Sequence, residues 1–317
     1  MKYNQADISS YRTVVVSSLV SVGDITLSFI VAIISGSSVM LAQGLQGVAD
    51  LTTTLLLLVG VKKSRRVATL KHPFGYGREL FFWVLISSLF AFLFSGGIAA
   101  WRAVQQIIDP GTLSSVGLTV FILSFGLVTN AYALSNSVRR LSQSMRGKSF
   151  WQYLRNSSLV ETKMTLLVDM MGTFSAVLGI IALCLYLVTG NVLFDGIGAL
   201  LIALITATGA FFVIVDLHDL IVGRSPSPIV VESIRKTALR VSGVQDVLDL
   251  QAMTIGSGQF FVILEIHFKD GLTTDEIEQI TDTIKDTVVT NEPQVSRIQV
   301  EAETPDHELV KSTSSKK

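Results

Sequence analysis

Cysteine occurs once, as Cys184 inside an apolar run, and histidine only four times in 317 residues. A single cysteine excludes a disulfide framework, a cysteine-based zinc site and a CxxC redox motif. Charge is scarce: 16% of residues are charged, against roughly 25% in soluble globular proteins. What charge there is balances at 25 basic and 25 acidic residues, which gives no bulk attraction to nucleic acid and predicts no nucleic-acid partner. The long apolar runs contain no proline, lysine or arginine. Nothing in them breaks a helix or resists burial in hydrocarbon. They also hold no His/Ser/Cys constellation for catalysis, and no pore loop separates them, so neither an enzyme nor a channel is expected. The segment MKYNQADISSYR is polar and carries acids, with no short apolar stretch and small-residue cleavage site after it. It reads as something other than a signal peptide.

Hydrophobic residues make up 49% of the chain, with a mean hydropathy of +0.55, and their distribution is uneven. Six segments are long and apolar enough to cross a bilayer, which takes about 20 residues: 13–35, 39–61, 80–101, 116–138, 164–188 and 194–215. Very short connections, Gly36-Ser37-Ser38 and Thr189 to Leu193, make helical hairpins of spans 1 and 2 and of spans 5 and 6. Basic residues concentrate in two connections. Lys62, Lys63, Arg65, Arg66, Lys71 and Arg78 follow span 2; Arg139, Arg140, Arg146, Lys148, Arg155 and Lys163 follow span 4. The other connections hold only Arg102. Basic loops stay on the cytoplasmic side, which places both termini there as well.

Residues 223–317 read as soluble sequence. Ser227 and Pro228 signal a helix start. Val247 to Ile255 and Gln259 to Phe268 read as strands joined by Gly256-Ser257-Gly258. Thr273 and Glu276 form a capping box, and 295–302 alternates as a last strand. The expected fold is therefore an all-α six-helix membrane domain (1–222), a cytoplasmic α+β domain of ferredoxin-like type (223–305), and a disordered tail (306–317).

Ionisable residues inside spans are costly and point to function. Asp24, Asp50 and Asp169 lie in spans 1, 2 and 5, and no span offers a basic partner. A carboxylate buried without a counter-ion must either be protonated or hold a cation. Gln46 precedes Asp50 by four residues and Thr165 precedes Asp169 by four, so each pair shares a helix face, roughly 6 Å apart along the axis. Two such pairs on facing helices present four oxygen donors. Asp195 opens span 6 and reads as interfacial; Asp216-Leu-His-Asp219 reads as a charged helix end.

These residues resemble the cation diffusion facilitator family. Ser35-Gly-Ser-Ser38 with Leu41-Ala-Gln-Gly-Leu-Gln-Gly-Val-Ala-Asp50 is similar to its turn into the second span. His72-Pro-Phe-Gly-Tyr-Gly-Arg78 is similar to its cytoplasmic signature, and Asp169-Met-Met-Gly172 to its fifth-span motif. The resemblance covers residues 10–303. It implies a divalent metal cation/proton antiporter whose metal site is Gln46, Asp50, Thr165 and Asp169. The family pattern has His or Asp where Gln46 and Thr165 stand. An all-oxygen donor set suits Mn²⁺, with Fe²⁺ possible, better than the nitrogen- and sulfur-preferring Zn²⁺. The loss of two strong ligands also admits a non-transporting partner or scaffold of the same fold. A second metal site at His72 is not expected, because Ala68 or Thr69 stands where the family has an acid and Tyr76 where it has a second His. In the tail only Glu265, His267, Gln299 and Glu301 are candidates. The resemblance further implies a homodimer in contact with membrane lipid and protons, in the plasma (cell inner) membrane by default. No cofactor is expected; the metal, of the Mn/Fe/Zn class, is cargo.

Overall fold

The structure is a computed structural model that describes residues 5–144 and 160–305. The 306–317 segment expected to be disordered, and most of the basic connection after span 4, lie outside the described residues. Six long helices appear in the expected order: α1 Gln5–Ser35, α2 Ser38–Ser64, α3 Glu79–Ile108, α4 Val116–Ser144, α5 Val160–Thr189 and α6 Leu193–Val222. Five of them, α2 to α6, are long and apolar enough to cross a membrane. In α1 the apolar part with described side chains is Leu19–Ser35. The chain is a multi-pass membrane protein. Within α3, Ala91–Ile98 winds as π-helix, where Ser95-Gly96-Gly97 weakens α-helical preference.

The two tight hairpins are made in the same way. Gly36 follows the last residue of α1 at φ +71° and Gly190 follows α5 at φ +69°. Both sit in the left-handed region that ends a helix and that residues with a Cβ avoid. All six helices meet in one apolar cluster, to which Val31, Val39, Ala103, Leu123, Leu183 and Ile202 each contribute from a different helix. Alanines and glycines fill its narrow places: a Cβ on Gly198 of α6 would lie 2.3 Å from that of Ala182 in α5. Without water between helices, such close backbone approach is what holds a membrane bundle together.

The tail runs α7 Pro228–Leu239, β1 Val244–Gly256, β2 Gln259–Phe268, α8 Thr274–Asn291 and β3 Val295–Ala302. Ser227 and Pro228 open α7 as expected, and Thr273 with Glu276 forms the expected capping box. The sheet has order β1-β2-β3, antiparallel between β1 and β2 and parallel between β2 and β3. The parallel pair requires a crossover, and α8 supplies it. Along β2, Phe260, Val262, Leu264, Ile266 and Phe268 are buried in strict alternation. They pack with Ile234 of α7 and Ile284 and Val288 of α8. One face of the sheet is thus covered by both helices. By packing, the connection 64–78 belongs with this tail unit rather than with the helices it joins.

Candidate cation site

On α2, Gln43, Gln46 and Asp50 recur at helical spacing and share one face. Gln46 is 1% exposed, and both atoms of its amide lack a hydrogen-bond partner among the described residues; the Nε2 of Gln43 lacks one too. An orphaned buried polar group costs about 1–3 kcal/mol, so nothing in packing alone explains a glutamine here. Asp50 is half-buried one turn further along.

Asp169 of α5 is also half-buried, and its carboxylate lies near enough to that of Asp50 for their like charges to interact. It does not stand alone. The hydroxyl of Ser137, on α4, donates to its Oδ2, and Gly172, one turn on, lets α4 close in: a Cβ there would lie 2.9 Å from Asn130 Oδ1. Thr165 is placed differently. It is exposed, and its hydroxyl donates to the Glu161 carbonyl of its own helix at 2.9 Å. The structure therefore places Asp50 and Asp169 within electrostatic range, with Gln46 on the Asp50 face, and leaves Thr165 turned to its own backbone. Asp24 is half-buried on α1. No group of three or more His, Cys, Asp or Glu among the described residues is placed to hold a metal, so Asp24 does not complete a triad with the other two aspartates. Near the C-terminal end of α6, Asp216 is engaged by Lys163 at 3.1 Å.

Ser137 and Gln43 are the residues that sequence reasoning missed. A signal existed for Ser137, because Asn130, Asn136 and Ser137 are polar positions in an apolar span. Which of them faced Asp169 depended on how α4 rotates against α5.

The His72–Arg78 loop forms a compact turn of its own. Thr69 and His72 exchange backbone hydrogen bonds at 3.0 and 3.1 Å, the His72 and Tyr76 rings lie 4.5 Å apart, and the Tyr76 and Thr69 hydroxyls meet at 3.3 Å. Two positions that would carry metal ligands are thus occupied by a hydroxyl pair. The loop packs on the tail hairpin. Phe74 tilts against Phe261 at 5.6 Å and lies under the Arg297 guanidinium at 5.0 Å. Gly77 lies so close to the hairpin that a Cβ would sit 2.5 Å from the Ile255 carbonyl oxygen.

On the tail sheet, Asp249, Glu265 and Glu301 stand in register across the three strands. The Glu265 carboxyl is pushed above the usual carboxylate range by partial desolvation and then by Asp249, Glu303 and Glu301. Gln299 donates to Glu301 at 2.8 Å, and His267 Nδ1 lies 3.3 Å from the Glu303 carbonyl.

Known proteins resemble this chain in sequence. A family model described as cation efflux transmembrane domain matches residues 14–222, and one described as cation efflux protein, cytoplasmic domain, matches 226–304. The human mitochondrial proton-coupled zinc antiporter SLC30A9 is 27% identical over 252 residues, covering 78% of this chain and 44% of that protein. Metal tolerance protein C4 of Arabidopsis thaliana is 26% identical, covering 74% of this chain and 52% of that one. The zinc transporter ZitB of Pectobacterium atrosepticum is 24% identical, covering 73% and 69%. The chain thus spans less than half the length of the human relative. A solved nickel form of the MamM C-terminal domain matches 25% of this chain and all of its own length, at 22% identity and a TM-score of 0.24.

Proposed function

Because the chain belongs to the cation efflux family, we propose that it carries a divalent metal cation across a membrane in exchange for protons, with Asp50, Asp169 and Gln46 holding the cation. The observation that carries this reading is that carboxylates from α2 and α5 lie within electrostatic range of each other, with the orphaned Gln46 amide one turn from Asp50. Like charges brought together in a bundle repel. A divalent cation neutralises both, and protons neutralise them when it leaves. The Gln46 carbonyl oxygen supplies an acceptor that hydrocarbon packing leaves unused.

Two carboxylates and an amide are hard oxygen donors, the set that favours Mn²⁺ or Fe²⁺ over Zn²⁺. Two of the relatives named above are called a zinc antiporter and a zinc transporter, and Zn²⁺ belongs among the candidate cargoes for that reason. The cation enters from the side that bears the basic loops and the tail, which orientation rules make the cytoplasm. A plasma membrane location and a homodimer, with the tail as part of its contact, complete the reading. The test is flux of Mn²⁺, Fe²⁺ and Zn²⁺ into proteoliposomes holding the full chain, with and without a pH gradient. Uptake that responds to the gradient and disappears in Asp50→Ala supports the antiporter. The exposed, self-satisfied Thr165 favours the second reading, a non-transporting partner protein. Absence of flux for all three ions would select it.

A further inference from the structure

The cation site needs a fourth side, and the sequence pattern puts Thr165 there. The geometry points to α4 instead: we infer that Ser137 is the residue that positions Asp169 for the cation, and that Thr165 takes no part. This rests on the transporter reading above and specifies which helices build its site.

Three observations converge. First, the Ser137 hydroxyl donates to Asp169 Oδ2, joining residues 32 apart in sequence across two helices. Second, the Thr165 residue is exposed, unlike the half-buried Asp169, and its hydroxyl is oriented toward the Glu161 carbonyl of its own helix. Third, the α5 face that carries Asp169 is the face that meets α4, because Gly172 leaves room there for Asn130 and three residues separate positions on one helix face. Ser137 and Asn130 are themselves seven residues apart, two turns of α4, and so lie on one stripe.

The chemistry follows from the count of donors. A hydroxyl has one proton, and giving it to Oδ2 restricts the plane of the Asp169 carboxylate, the ligand that meets the cation. A ligand held in this way pays less ordering cost when metal arrives. Loss of such an outer hydrogen bond typically lowers metal affinity 10–100-fold. With Gln46 in place of a charged or imidazole ligand, the site relies on the orientation of its two carboxylates more than a site with four strong ligands does.

The experiment is flux of Mn²⁺ and of Zn²⁺ through the full chain in proteoliposomes, read as KM and maximal rate. Ser137→Ala should raise KM by about tenfold or more while the rate at saturating metal is retained. Ser137→Thr, which keeps the hydroxyl, should restore the KM, and Thr165→Ala should leave it within about twofold of the parent. Ser137→Cys, close in shape but a weak donor, reads the same loss if the alanine variant fails to fold. An unchanged KM in both Ser137→Ala and Ser137→Cys, or an equal rise in Thr165→Ala, overturns the inference. If Asp50→Ala is inactive while Ser137→Ala is normal, only this inference fails. If Asp50→Ala transports like the parent, the transporter site itself is misplaced, and the inference goes with it.

Discussion

Asp195, at the start of α6, caps the first turn of α2: its Oδ2 accepts the Ser38 N–H at 2.6 Å, from a residue 157 positions away in sequence. Its Oδ1 accepts from the Ser37 hydroxyl at 2.5 Å and from the Val39 N–H at 3.4 Å. The residue is 0% exposed, so beyond opening span 6 it has a packing role that its position in the sequence does not show. A helix begins with four N–H groups lacking partners, and where they are buried from water a protein group must supply the acceptor. A carboxylate from another helix does so here, at the end of α2 where the helix dipole favours negative charge.

Replacing Asp195 tests that cap. Asp195→Ala leaves the first α2 amides buried and unpaired and should cost about 1–3 kcal/mol, seen as a lower midpoint in thermal unfolding of the purified chain. Asp195→Asn keeps one acceptor oxygen and should fall between alanine and the parent. An alanine variant as stable as the parent would show that the contact is incidental.

The loop after α2 should be released by a single methyl group. In Gly77→Ala the new Cβ would meet the Ile255 carbonyl oxygen at 2.5 Å and Gly256 Cα at 2.9 Å, both backbone atoms with little freedom to yield. The Phe74–Phe261 contact is then lost, and trypsin should cut at Lys71 and Arg78 several-fold faster than in the parent. Unaltered cleavage rates would mean that the loop is held by other means.

Donor chemistry at position 46 should set metal preference. Gln46→His places an imidazole nitrogen where an amide with no partner now stands, and nitrogen ligands favour Zn²⁺ over Mn²⁺. The ratio of Zn²⁺ to Mn²⁺ flux should rise, by about tenfold if the nitrogen binds directly. No change in the ratio would place Gln46 outside the coordination sphere.

The tail carries a pH dependence of its own. The Glu265 carboxyl is raised above its ordinary value by desolvation and by Asp249, Glu303 and Glu301. A raised acid binds its proton more tightly in the folded state. Its protonated form therefore stabilises the tail at low pH, and that contribution is lost as the pH rises through the raised value. Glu265→Gln should lift the thermal midpoint at pH 7 slightly and leave it unchanged near pH 4. The site is open to solvent, so added salt should shrink the difference. A midpoint that falls at pH 7 would reverse the assigned sign.

Much of this protein was legible from its residues. Span positions follow from the apolar runs, because a bilayer leaves a chain little choice but a helix of fixed length. The tail elements follow from local signals: the capping box at Thr273 and Glu276, Pro228 at a helix start, and alternation along β2. Asp50 and Asp169 stood out because a carboxylate in a span is costly wherever it points. Interactions that join distant parts of the chain were not legible. Asp195 read only as the interfacial start of span 6, because no local pattern reveals the α2 amides that it serves. Gly77 read as part of a motif, and only packing showed the hairpin against it. Helical spacing placed Thr165 and Asp169 on one face, yet a hydroxyl can turn to its own backbone, and Thr165 does. The sequence alone determined which segments are helices and where charge is costly, since both depend on neighbours along the chain. The rotation of each helix against the next depends on side-chain volumes from several helices at once. That is why only the tertiary structure decided that Ser137, on α4, meets Asp169.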